Sequence, residues 1–171
     1  PAKQDRVRSA MTNNAVDVLM LPDGRTSYLV LRKSNELLVQ QHQPSGTVRQ
    51  LHRLETCRQP EAISLVRRTR RALVRCNSGH SVDVIDLDTH KRVKRISFGV
   101  RVSDLAVSPD GVQAVAALPQ GKEGAIAVID LSDFSVRLHG LPAEPHRVRF
   151  GPRGKTVLVL SDRSKAAWVL K

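Results

Sequence analysis

The chain holds 171 residues, of which 40% are hydrophobic and 26% charged, a composition that is globular rather than disordered. No apolar run reaches the roughly 18 residues that a membrane-spanning helix needs, so no span is predicted. A formal net charge of +12 predicts attraction to acidic surfaces. Five aromatics (Tyr28, Phe98, Phe134, Phe150 and Trp168) are few for a base-stacking platform, which places nucleic acid second among the expected partners.

The first segment, 1–13, is expected to be an irregular lead-in. Its opening Pro-Ala-Lys-Gln-Asp-Arg has neither Met nor the hydrophobic run of a signal peptide, and is expected to be an internal start. From Val16 to Met20 the sequence alternates, then turns at Pro22-Asp23-Gly24 and continues as the β-rich run Tyr28–Leu31. A closing run follows at Thr47–Leu51. The next unit has Ala62–Leu65, a turn at Val66–Thr69 without the Pro-Asp-Gly sequence, Arg71–Val74, Val82–Leu87 and Arg92–Ile96. The third has Val102–Val107, Ser108-Pro109-Asp110-Gly111, Ala114–Ala117, Ile126–Leu131 and Ser135–Leu138. The last shows Val148–Phe150, Gly151-Pro152-Arg153-Gly154, Thr156–Leu160 and Ala167–Leu170.

Two elements recur in phase. Val-Ile-Asp-Leu stands at 84–87 and again at 128–131, 44 residues on. The turn prolines Pro109 and Pro152 are 43 residues apart. Proline fixes φ at the turn, aspartate bonds its local backbone, and glycine takes the positive φ that reverses the chain. No segment keeps the i, i+3, i+4 pattern of a helix. The predicted fold is therefore all-β, with four short antiparallel strands per unit of about 43 residues. The predicted units are 14–55, 56–99, 100–143 and a partial one at 144–171.

Ser108–Gly111 alternating with Val128–Leu131 resembles the repeats of YVTN and WD40-like β-propellers. The resemblance covers nearly the whole chain from Asn14. It lacks the Gly-His and Trp-Asp dipeptides of WD40 repeats, with Ile85-Asp86 and Ile129-Asp130 in place of Trp-Asp. That departure is closer to YVTN repeats, or to the degenerate WD region of NACHT-type NTPase proteins. The resemblance implies about three and a half blades of an incomplete propeller, with the remaining blades supplied by the same parent chain or a second copy. It also implies a scaffold or sensor that binds proteins.

Chemistry is not expected. Asp23, Asp86, Asp110 and Asp130 recur with the repeat, as turn and strand-end residues do, and no catalytic residue is assigned. Gly151–Thr156 ends in Gly-Lys-Thr but lacks the P-loop's first glycine, so it is a turn. The six histidines are scattered, and no metal or cofactor site is assigned. Cys57 and Cys76 are expected as reduced thiols of a cytoplasmic protein. The candidate partner-binding residues are Arg67, Arg68, Arg70 and Arg71, with Arg92, Lys94 and Arg95, because guanidinium forks suit acidic partners. Two other readings stay open: these cations track a phosphate backbone, or the chain is a periplasmic or surface propeller of YVTN type.

Overall fold

The computed structural model describes residues 14–161 and 165–170, so the expected lead-in at 1–13 lies outside the described residues, as does Lys171. Among the described residues, fifteen strands form four antiparallel sheets that follow one another in chain order. The first holds β1 (Ala15–Met20), β2 (Thr26–Leu31), β3 (Glu36–His42) and β4 (Val48–Glu55); the second holds β5 (Pro60–Val66), β6 (Arg71–Cys76), β7 (Ser81–Asp86) and β8 (Lys91–Ser97). The third holds β9 (Asp104–Val107), β10 (Gln113–Gln120), β11 (Glu123–Asp130) and β12 (Val136–Leu141); the fourth holds β13 (Arg147–Phe150), β14 (Val157–Ser161) and β15 (Ala166–Leu170). The only helical segment among the described residues is one 3-10 turn, Arg67–Thr69. No helix among them is long and apolar enough to cross a membrane.

The turns form as their residues dictate. Asp23 Oδ1 accepts the N–H groups of Arg25 and Thr26 at 2.8 and 2.9 Å, while Gly24, at φ +66°, donates to the Leu21 carbonyl. Gly111 and Gly154 repeat this geometry after Pro109 and Pro152. Between β5 and β6, where the sequence offers no glycine, the 3-10 turn ends on Arg70 in the left-handed region at φ +48°. Asp86 and Asp130, at the ends of β7 and β11, accept bonds from Thr89 and Ser132 just beyond them.

Each sheet packs on the next, which covers both faces of the second and third sheets and one face of the first. Tyr28–Leu31 in β2 and Ala114–Leu118 in β10 are buried on both faces, so alternation is not required of them. The core comprises three seams between sheets and a further cluster of Leu29, Leu31 and Leu38 within the first sheet. One unites Tyr28, Val30, Leu37 and Val39 with Ala72, Val74 and Ile85 across the first and second sheets. Another joins Leu73, Val82 and Val84 to Ala114, Ala116 and Ala127 across the second and third. The last joins Val115, Ala117 and Ile126 to Val148 and Val159 across the third and fourth.

Carboxylates on the inner strands add polar stitches to two of these seams. Asp17 Oδ2 of β1 accepts the N–H of Ile63 in β5 at 2.9 Å. Asp104 Oδ2 of β9 accepts the N–H of Val148 in β13 at 3.1 Å, and also binds Arg149 Nη1 at 2.6 Å.

The cysteines differ from expectation. Cys57, in the β4–β5 connection, and Cys76, at the end of β6, are disulfide-bonded, with Cα atoms 5.8 Å apart. Their 19-residue separation in sequence gives no hint of this. Antiparallel pairing of β5 with β6 returns the chain so that Pro60 lies opposite Cys76, and Cys57 comes alongside.

Candidate functional site

The seven cations singled out from sequence fall in two places. Arg67, Arg68, Arg70 and Arg71 occupy the β5–β6 turn and the start of β6, at one end of the strands; Arg92, Lys94 and Arg95 lie on β8, the outermost strand of the second sheet. Several are already engaged. Arg70 Nε binds Asp88 Oδ1 at 2.7 Å. Arg71 reaches into the third sheet, its guanidinium 5.3 Å from the Phe134 ring centre.

On β8 the engagement is tighter. Asp83 of β7 is fully buried, and an unpaired carboxylate there would be costly. Arg95, directly opposite, grips both its oxygens at 2.7 and 2.9 Å, and Arg92 lies 3.7 Å away. Among the described residues, Arg67, Arg68 and Lys94 carry no ion pair, and all three are exposed.

The turn aspartates are acceptors rather than acids. The Thr89 backbone and hydroxyl hold Asp86 below its usual carboxylate range; the hydroxyls of Ser108 and Ser132 do the same for Asp110 and Asp130.

A second polar region, which the sequence did not single out, lies at the other end of the strands. Glu61 of β5 joins Arg32 at 3.0 Å and Arg75 of β6 at 2.7 Å, and Arg75 also donates to the Val102 carbonyl at 2.9 Å. Beside it a cavity of about 330 Å³ is lined by Arg75, Arg101, Ser103, Asp104, His146 and Arg147. The available signal was phase: Asp17 and Asp104 each stand five residues ahead of their turn prolines, Pro22 and Pro109.

A third cluster sits in the first seam. The buried Tyr28 hydroxyl lies 2.8 Å from His90 Nδ1 and 3.2 Å from the Leu87 carbonyl, and the His52 and His90 rings are 4.5 Å apart between centres. Burial pushes the Tyr28 phenol up to about 12. Burial, then the neighbouring His52, lowers His90. No group of three or more His, Cys, Asp or Glu is placed to hold a metal ion among the described residues.

No protein-family profile and no curated protein matches the chain in sequence. Solved structures do match in shape. Hydrazine synthase of Kuenenia stuttgartiensis superposes with a TM-score of 0.74 at 24% identity, over 95% of this chain and 46% of its own. A protein of Bacteroides uniformis, described as a candidate 6-phosphogluconolactonase, gives 0.73 at 16% identity, over 91% of this chain and 49% of its own. The fold is of β-propeller type.

The chain spans about half the length of the structures it matches, and at these identities the likeness shows the fold alone. It nonetheless corrects one expectation. The chain was expected to be no enzyme, yet both matched structures carry enzyme names. The expectation rested on aspartates that recur with the repeat. Their turn role says nothing about residues that break the repeat, and those are where a propeller-type fold varies its chemistry.

Proposed function

We propose that the chain is a run of β-propeller blades of the YVTN or WD40-like kind, at 14–55, 56–99, 100–143 and 144–171, that holds an acidic protein partner. The observation that carries this reading is the division of labour among its cations. Arg70, Arg92 and Arg95 are spent within the fold, while Arg67, Arg68 and Lys94 are exposed and form no ion pair among the described residues. Exposed guanidinium groups on the turn and an ammonium group on β8 recognise carboxylates and speed encounter with an acidic surface.

The test is fluorescence anisotropy with a glutamate- and aspartate-rich peptide and with single- and double-stranded DNA, each across a salt series. Binding of the peptide in preference to DNA, abolished by Arg68→Glu with Lys94→Glu, supports the reading. Preference for DNA with a steep loss of affinity in salt would transfer these cations to a phosphate backbone.

A second reading concerns place. The Cys57–Cys76 disulfide supports an extracytoplasmic propeller over a cytoplasmic one, because thiols of the cytoplasm are kept reduced. Alkylation of the protein taken directly from its cell decides this: two blocked thiols fit export, and two reactive thiols fit the cytoplasm.

A further inference from the structure

We propose that the cavity bounded by Arg75, Arg101, Ser103, Asp104, His146 and Arg147 binds a small anionic molecule through a phosphate or carboxylate group held between Arg101 and Arg147. The site lies at the opposite end of the strands from the Arg67–Arg71 turn, so it stands apart from the partner surface proposed above.

Three observations converge on it. The first is an excess of positive charge in a concave place. Among the described residues, the side chains of Arg101 and Arg147 make no ion pair or hydrogen bond, although they line the same cavity as Asp104. That carboxylate is already taken, by Arg149 at 2.6 Å and by the Val148 N–H at 3.1 Å. Two guanidiniums beside an occupied carboxylate are five-donor forks with nothing to hold.

The second is that the wall is fixed. Arg75 is pinned by Glu61 on one side and by the Val102 carbonyl on the other, so its charge backs the cavity without moving into it. Ser103 Oγ is bound to the Pro145 carbonyl at 3.0 Å, which ties the third sheet to the approach of β13. A cavity of about 330 Å³ suits a small molecule and is too small for a folded partner.

The third is a break in the repeat. Five residues ahead of the turn position, the inner strands carry Asp17 in the first sheet, Ala62 in the second and Asp104 in the third. The fourth carries Arg147. The second sheet has lost the acid without replacing its charge, whereas the fourth puts a cation in its place, and that cation lines the cavity.

The experiment is isothermal titration of the chain with inorganic phosphate, glucose 6-phosphate and citrate, at one fixed ionic strength. Saturable binding of at least one probe is expected at one site per chain. Arg101→Gln and Arg147→Gln should each weaken it about tenfold or more, Arg147→Lys should weaken it less, and Arg67→Gln should leave it unchanged. Stronger binding of the phosphates assigns a phosphorylated ligand, and stronger binding of citrate a polycarboxylate. Both cavity side chains are exposed, so their variants should keep the parent's circular dichroism and melting temperature. Absence of saturable binding for all three probes overturns the proposal. So does a folded Arg101→Gln/Arg147→Gln variant with parental affinity.

Discussion

Strands β1 and β13 hold the same place in their sheets, yet the two meet opposite environments. Val18 of β1 is 60% exposed, while its counterpart Val148 in β13 is fully buried. Ile63 in β5 and Leu105 in β9 follow Val148, each at 8%. The N–H groups differ in parallel: Val148 donates to Asp104 of the preceding sheet, whereas Val18 donates to the carboxylate of its own neighbour Asp17, at 2.9 Å. An inner strand is thus made core by the sheet before it in the chain, and its apolar sequence cannot achieve this alone.

The most severe test of that comparison pairs two identical substitutions. Val148→Asp places a charge in the third seam and should cost about 3–5 kcal/mol, whereas Val18→Asp should cost less than about 0.5 kcal/mol. Urea denaturation of both variants measures the difference; equal losses would break the comparison. Next in size is the disulfide, which locks the connection into β5 and has no counterpart in the third seam. Reduction of Cys57–Cys76 should remove about 3 kcal/mol, as closing a loop of this length implies. Denaturation with and without a phosphine reductant reads it directly.

A smaller effect is expected at the polar stitches. Asp104→Ala strands both the Val148 N–H and Arg149 and should cost about 1–2 kcal/mol. The same change at Asp17 frees the Ile63 N–H across the first seam and the exposed Val18 N–H, and should cost about 1 kcal/mol. Thermal melts rank the two, and a larger loss at Asp17 would reverse the assignment.

The smallest effect is one of pH, and it belongs to the first seam. His90 is lowered below 6.5, so below that value the unfolded chain binds a proton that the folded seam disfavours. Its contribution is therefore complete above about pH 6.5 and declines as pH falls. His52 adds to this disfavour, whereas Asp86 and Asp88 oppose it, and Tyr28 contributes the hydrogen bond to His90 Nδ1. The melting temperature should drop modestly between pH 7 and 5, and His90→Gln should flatten that slope. The turn aspartates act in a separate window, below about 3.8, where their protonation removes the turn bonds.

Much of the fold could be read from the sequence because its signals are local. Pro-Asp-Gly at 22–24 and 109–111 carries its own turn chemistry, and the aspartates of Val-Ile-Asp-Leu end their strands as their residue type dictates. The turn after β5 kept the phase of the repeat without those residues, since Arg70 adopts the left-handed conformation in place of glycine. What escaped were contacts between sheets. The fate of Asp17 depends on Ile63, 46 residues away, and that of Tyr28 on His90, 62 residues away. Of the seven cations named from sequence, Arg92 and Arg95 serve a buried carboxylate whose burial no run of neighbouring residues reveals. Arg101 and Arg147 escaped for the same reason, since only the folded chain brings them to one cavity.

The succession of sheets also governs how the protein loses its structure. The main contacts between sheets run between chain neighbours: β1 and β2 with β5, β5 with β9, and β9 and β10 with β13. Such an array behaves as a row of coupled units, each one's persistence set by itself and its flanks. Opening should then pass from sheet to sheet along this row instead of striking everywhere at once. Amide hydrogens of β10 and β11, enclosed on both sides, should exchange last, and those of β1 well before them.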